Sequence, residues 1–380
     1  REFSMYERSG LSVTSLTGRL FADSTVIRIP SLKLLTPHSE MNLTAQTYWE
    51  LINIPTTGRL TARFNARIGK QDVLLFAGGL PEAFKEAYPF RPLVIHAGTE
   101  GNLKQMQISR FTAELPGAFS FSGGGEFWSL TDSVKRNGSM DFEMHTQNLN
   151  FLTGLADIAP DGSIIVPDSM HLAARLGMEG AQCTAALKLK EKEGALNLDA
   201  AYNLATEAYH ADLAINNLQV HHFLPKDSIY TLTAKMSAKG QGVDVASRKT
   251  VAALNASLEK LQYGHWDISG VDVHAGLKSS VATVRLASDN VLLKMQGNAD
   301  MRLDLNYLDG ALDLNVEEVN LHKLGLVPRP LQHPFAFTMG AEARHDSLKL
   351  RLDAGDLNLR FRAHSTLKNE YFFSFHTFLT

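Results

Sequence analysis

The sequence predicts an all-β fold: an elongated, repeating β-groove of amphipathic antiparallel strands with a few short helices. Two observations carry this reading. Apolar and polar residues alternate with period 2 along most of the chain, and successive side chains of a strand point to opposite faces of a sheet. A block near residue 200 also returns near residue 305. Leu196-x-Leu198-Asp199-x-x-Tyr202, Asn217-Leu218 and Leu224-Pro225 recur as Met301-x-Leu303-Asp304-x-x-Tyr307, Asn320-Leu321 and Val327-Pro328. The offsets from Asp199 to Asp304, Leu218 to Leu321 and Pro225 to Pro328 are 105, 103 and 103 residues. A strand-rich repeat of this size points to an array of like units and away from a single catalytic pocket. The expected organisation is one continuous groove over residues 1–380, with internal layers near 1–145, 146–240 and 241–380.

Taken in chain order, Ile27-Arg28-Ile29 and Leu32-Lys33-Leu34 open the alternation. Leu80 to Tyr88 lies between Gly78-Gly79 and Pro89 and predicts a short helix. Gly123-Gly124-Gly125, between alternating Phe119-Ser120-Phe121 and Glu126-Phe127-Trp128, reads as a turn or bulge. Leu149 to Ile158 is another helical stretch, with Asp157 and Pro160 near its end. Leu187-Lys188-Leu189, a polar turn from Lys190 to Gly194, and Leu196-Asn197-Leu198 make a hairpin. The segment Thr250 to Gln262 places Val251, Leu254, Leu258 and Leu261 on one helical face, but its neighbours are strands, and strand is the preferred reading. Leu303/Leu305 and Leu312/Leu314 alternate around a turn at Asp309-Gly310. Leu348, Leu350 and Leu352 alternate with Lys349 and Arg351; Ala354-Gly355-Asp356 turns the chain; Leu357, Leu359 and Phe361 alternate with Asn358, Arg360 and Arg362. Pro89-Phe90-Arg91-Pro92 and Pro328-Arg329-Pro330 are rigid turns.

Composition narrows the function classes. A net charge of −3 offers no basic surface for nucleic acid. The lone Cys183 excludes an internal disulfide framework. No run of 18 apolar residues is present to cross a membrane as a helix. The start, Arg1-Glu2-Phe3, has neither a Met nor a signal peptide and reads as a piece of a longer chain.

The glycine triplet lacks the helix N-terminus that a phosphate loop needs. His221 and His222 are adjacent, so in a strand they face opposite ways, and no H-x-x-x-H or C-x-x-C spacing occurs; no metal is expected. Cys183 has no Cys/His constellation around it. Asp300, Asp304, Asp309 and Asp313 could pair as glycosidase carboxylates, but Asp309 falls in the expected turn. Asp304 and Asp313 alternate with leucines and should point to water. No G-x-S-x-G is present. No enzyme signature, catalytic residue or cofactor survives.

What remains is the apolar face. Its candidate residues, each at the apolar phase of an alternating strand, are Leu187, Leu189, Leu196, Leu198, Leu303, Leu305, Leu312, Leu314, Leu348, Leu350, Leu352, Leu357, Leu359 and Phe361. Such a face either seals a sandwich core or lines an open trough for acyl chains, and the residues alone are compatible with both.

Three stretches carry a family resemblance. They are Gly10-Leu11-Ser12-Val13 through Gly18 with Ile29-Pro30-Ser31 through Thr36-Pro37-His38-Ser39; Asn217-Leu218 to Pro225 with Leu232-Thr233-Ala234-Lys235 to Gly242; and Leu261-Gln262-Tyr263-Gly264-His265-Trp266-Asp267-Ile268 with Leu286-Ala287-Ser288-Asp289 and Gln296-Gly297. Over residues 10–365 the chain resembles the AsmA-like superfamily, and within it the TamB-type translocation and assembly proteins of Gram-negative envelopes. The resemblance implies a middle fragment of a β-taco and a periplasmic location. It implies an inner-membrane anchor in a segment absent from this chain. Phospholipid acyl chains are the implied ligand, moved between inner and outer membranes in outer-membrane biogenesis. An Omp85-class outer-membrane barrel is the implied partner, again through a segment not present here. A structural or scaffolding β-solenoid or sandwich with a sealed core stands as the alternative.

Overall fold

A computed structural model of the protein describes residues 3–6, 12–76, 79–155, 163–304, 307–345, 347–355, 357–365 and 371–379. The strands and helices follow in order: β1 (Phe3–Tyr6), β2 (Ser12–Ala22), β3 (Val26–Leu35), β4 (Glu40–Tyr48), α1 (Trp49–Asn53), β5 (Leu60–Ile68), α2 (Lys70–Phe76), α3 (Glu82–Ala87), β6 (Leu93–Asn102), β7 (Gln105–Leu115), β8 (Phe119–Trp128), β9 (Asn137–Thr146), β10 (Met170–Glu179), β11 (Gln182–Glu191), β12 (Gly194–Asn203) and β13 (Ala208–Gln219). They continue with β14 (Ile229–Gln241), β15 (Val251–Tyr263), β16 (Trp266–Ile268), β17 (Val271–Lys278), β18 (Val281–Asp289), β19 (Leu293–Arg302), β20 (Asp309–Val319), β21 (Phe335–Arg344), β22 (Ser347–Ala354), β23 (Leu357–Ser365) and β24 (Tyr371–Leu379). The fold is all-β, as expected, and the ambiguous segment at Thr250 is strand β15.

The chain divides into two compact units, one of Arg1–Asp199 with Leu218–Asp227, the other of Ala200–Asn217 with Ser228–Thr380. The division falls within β12 and β13, inside the layer expected over 146–240. In the first unit β1 to β11 form an antiparallel meander, each strand paired with the next. In the second, β14 to β24 do the same, with the short β16 beside β15 and β17 closing the ladder on β15. Short connections between sequential strands make this the natural topology for alternating sequence. Pro30 sits in β3, flanked by strands on both sides, where a missing N–H would break the ladder; the register against β4 shifts between Ile29 and Leu32 at that point.

The main closed core lies in the first unit. Phe84 and Tyr88 from α3 and its C-cap pack on Leu115, Ala118, Leu149 and Phe151. The rings of Phe84, Tyr88 and Phe151 meet pairwise at 5.4 to 5.7 Å, and burial pushes the Tyr88 phenol pKa up. Val73 and Leu74 of α2, with Leu93, Phe119 and Met144 of the sheet, surround them. α2 is anchored through Asp72, which is buried and accepts from the Thr36 and Ser39 hydroxyls. Gly69 N–H donates to Ser39 Oγ at 3.0 Å. The Thr36-Pro37-His38-Ser39 segment is thus the seat of a helix N-terminus, where a carboxylate in the first turn also suits the helix dipole.

Several expectations are corrected. Of the two readings of Gly123-Gly124-Gly125, the turn is excluded and the bulge is found: the triplet runs through β8, and the ladder bulges there, with the extra residue in β7 between Ile108 and Phe111. Asp309-Gly310 is not a turn either but the start of β20. Strand β19 ends at Arg302, so Leu303 and Asp304 fall in a bend and not in an alternating strand. The repeat is therefore unlike at this level, because its first copy, Leu196 to Tyr202, lies inside β12. His221 and His222 are on a short 3-10 helix, not a strand, because the chain turns away at Val220. The helix at Leu80 is found as α3, and Leu149 to Ile158 contains a 3-10 turn over Asn150–Leu155, while residues 156–162 lie outside the described residues.

Candidate apolar binding face

Directly paired residues in a ladder share a face, so the register assigns the faces of each unit. In the second unit one row across eight strands reads Leu254, Ala275, Val284, Ala299, Leu312, Ala341, Leu350, Phe361. The next reads Ala256, Val273, Leu286, Gly297, Leu314, Met339, Leu352, Leu359. The row between them, on the other face, reads Asn255, His274, Arg285, Asn298, Asp313, Gly340, Arg351, Arg360. One face carries no charge in these rows; the other is lined by charged and amide groups.

The first unit repeats the arrangement with aromatics. Its rows are Leu43, Phe64, Ala97, Phe111, Gly123, Phe142, Ala174, Leu187 and Met41, Ala66, Ile95, Ala113, Phe121, Met144, Leu172, Leu189. Phe121 touches both Phe111 and Phe142 at 5.6 Å between ring centroids. Bulky and small residues alternate from strand to strand, most regularly as Phe, Ala, Phe, Gly, Phe, Ala. Part of this face is covered by α2, α3 and the Phe151 turn, which pack on Leu93, Phe119 and Met144.

A sheet sealed by another sheet brings its inner side chains close to full burial. Here Val284, Met301 and Leu350 remain 38, 40 and 37% exposed. A cavity of about 310 Å³ opens on this face, lined by Val284, Ala299, Met301, Leu308, Leu312 and Leu348, among others. Asp300 is the one charged residue among its described lining residues. Such a surface can take hydrocarbon by burial alone, at about 25 cal/mol per Å² of apolar area removed from water. Apart from Asp300, its described lining residues offer no charged group with which to orient a polar head group.

Of the candidate residues, Leu187 and Leu189 lie in the first unit's apolar rows, and Leu196 and Leu198 are half-buried in β12. Leu312, Leu314, Leu350, Leu352, Leu359 and Phe361 lie in the second unit's rows, and Leu348 pairs with the buried Ala343 beside them. Leu357 is in β23 opposite Ala354. Leu303 is off the strand, and Leu305 lies outside the described residues. The apolar face also includes Phe64, Phe111, Phe121 and Phe142, which are not among the candidate residues, although Arg63-Phe64-Asn65, Phe119-Ser120-Phe121 and Asp141-Phe142-Glu143 carry the same alternation.

The polar side is laced with ion pairs. Asp304, expected to be solvated, is gripped by Arg248 at 3.0 Å and Arg302 at 3.2 Å. The Arg248 hydrogen bond, with help from Arg302, holds its carboxyl below the usual range. Cys183 pairs with Met178 on β10 and is half-buried. Among the described residues, no helix is long and apolar enough to cross a membrane. No protein-family model matches the chain, and no curated protein matches it.

Proposed function

We propose that the chain is a non-enzymatic lipid-binding conduit whose apolar faces hold the acyl chains of phospholipids. The observation that carries the reading is the charge-free, half-exposed apolar row from Leu254 to Phe361, with its cavity over Val284 and Leu312. A ligand held there gains by desolvation and slides without breaking directional bonds, which is what conduction requires and what a catalytic pocket lacks. The resemblance to the AsmA-like superfamily supports placing this activity in the periplasm, between inner and outer membranes, with an outer-membrane barrel as partner of the full protein. A scaffold with a sealed core is the competing reading, and the packed cluster around Phe84 and Phe151 favours it for that part of the first unit.

A photo-crosslinking amino acid at Leu350 and another at Lys349 separate the two. These neighbours in β22 point to opposite faces. Lipid adducts at Leu350 and none at Lys349, read by mass spectrometry of protein purified from an envelope extract, are expected. Equal labelling, or none at either, overturns the conduit.

A further inference from the structure

We propose that Glu143, His145 and His171 form a binding site for a divalent late transition-metal ion, with Zn²⁺ as the representative, on the polar face of the first unit. His145 in β9 lies directly opposite His171 in β10, and Glu143 sits two residues along β9 on the same face. The two imidazoles stack at 4.3 Å with 25° between their planes, and the possible ligand atoms of all three residues lie within 4.8 Å of one another. Ligands at about 2.0–2.2 Å from a tetrahedral zinc are separated by roughly 3.3 Å. Small rotations of these side chains, of which Glu143 and His145 are exposed, close the difference.

The contrast with other histidines on the same kind of surface gives the cluster its meaning. His96 Nδ1 meets the opposite Asn65 Oδ1 at 2.7 Å, and His274 Nδ1 meets the opposite Asn255 Oδ1 at 2.7 Å. Each has a cross-strand amide partner. His145 and His171 face each other instead, and Glu143 makes no ion pair among the described residues; opposite it stands Ala173, which leaves room. The neighbouring Asp141 is already engaged by Arg175. Lys190 and Lys188 on β11 stand opposite His171 and Ala173. These cations weigh against a hard ion such as Ca²⁺ or Mg²⁺, which depends on several oxygens and net negative charge. Two neutral imidazoles and one carboxylate suit Zn²⁺, Cu²⁺ or Ni²⁺. Three protein ligands leave one coordination position for water, and the ion would clamp β9 to β10.

Calorimetric titration of the intact chain with Zn²⁺ tests this. One saturable site is expected, weakened at least tenfold in His145→Ala and in His171→Ala and less in Glu143→Gln, but unchanged in His96→Ala and His274→Ala. Because the ion binds the folded form, the thermal midpoint should rise with Zn²⁺ in the wild type and not in His145→Ala. Circular dichroism confirms that the variants fold; if an alanine variant does not, His145→Gln and the Co²⁺ visible spectrum of the wild type replace it. No saturable binding, or binding that survives loss of both histidines, overturns the site.

Discussion

At the scale of single residues, packing across strands is set by pairs that are far apart in sequence. Gly125 faces Met140, and a Cβ there would stand 2.5 Å from the Ser139 carbonyl oxygen. Since that neighbour is backbone, it cannot swing aside. Gly125→Val should destabilise the first unit by about 1–3 kcal/mol, measured by urea unfolding, whereas Gly117→Ala, with open space around it, should act only through its positive φ. A neutral Gly125→Val would mean that β8 and β9 do not pair in this register. The surface carboxylates make a second residue-scale prediction. Hydrogen bonds from the Thr25 amide and hydroxyl and the Val26 amide lower Asp23, those from the Val134 and Lys135 amides lower Asp132, and Arg248 leads in lowering Asp304. A carboxyl whose folded pKa is depressed contributes stability above its unfolded pKa and loses it as pH falls through the folded value. The melting temperature should therefore hold steady above about pH 5 and fall below about pH 4. A midpoint unchanged down to about pH 3 would assign these contacts no net contribution. The alternation that put Leu312 and Leu350 on the apolar phase was legible in the sequence. The Arg248–Asp304 pair, spanning 56 positions, was not, because alternation says which way a side chain points and nothing about what a distant loop brings to it.

Among the elements, strands were legible, and turns only where a polar run or a glycine marks them, as between β11 and β12 at Lys190 to Gly194 and after β22 at Gly355. β15 and the β22–β23 pair follow directly from period-2 patterning. The β17–β18 turn consists of Ser279 and Ser280, both with positive φ, 52 and 63°. That is the geometry usually filled by Asn-Gly, so sequence gives no cue to it. Here tertiary contacts supply it: Ser280 is buried, its Oγ donates to the Ala246 carbonyl at 2.8 Å, and the Leu303 N–H donates to the Ser280 carbonyl at 2.8 Å. The same limit explains α2, whose seven residues are too few to show a helical period. Its existence rests on Asp72 meeting Thr36 and Ser39 of the β3–β4 connection. Asp72→Ala should leave the buried Thr36 and Ser39 hydroxyls without their acceptor and cost about 1–3 kcal/mol. Phe151→Ala, which opens a cavity among Phe84, Tyr88 and Leu149, should cost about 3–5 kcal/mol. Denaturant unfolding of each variant checks both, and a loss below about 1 kcal/mol for Phe151→Ala would mean that the cluster is not a packed core.

For the whole molecule, the deciding question is whether the apolar faces are cores or surfaces for something else, and the two answers respond oppositely to one substitution. In a sealed core a new carboxylate has no water and no partner, so the protein unfolds or the group stays protonated at a cost of several kcal/mol. On an open face the same carboxylate reaches solvent, the fold survives, and only hydrocarbon binding suffers. Leu312 is the position to use: it is half-buried, sits mid-row between Ala299 and Ala341, and lines the 310 Å³ cavity. Leu303, which lies beyond the strand end, is a poorer probe than its alternation promised. Leu198→Asp makes the parallel test in β12, and Asp313→Ala, next in sequence to Leu312 but on the polar face, serves as control. Thermal stability and bound lipid are measured on the same preparations. A folded Leu312→Asp that has lost most of its lipid, beside an Asp313→Ala that retains both, is the expected outcome. Loss of fold in Leu312→Asp favours the scaffold with a sealed core. Retention of fold and of full lipid content would mean that acyl chains do not use this face, whatever else the protein carries.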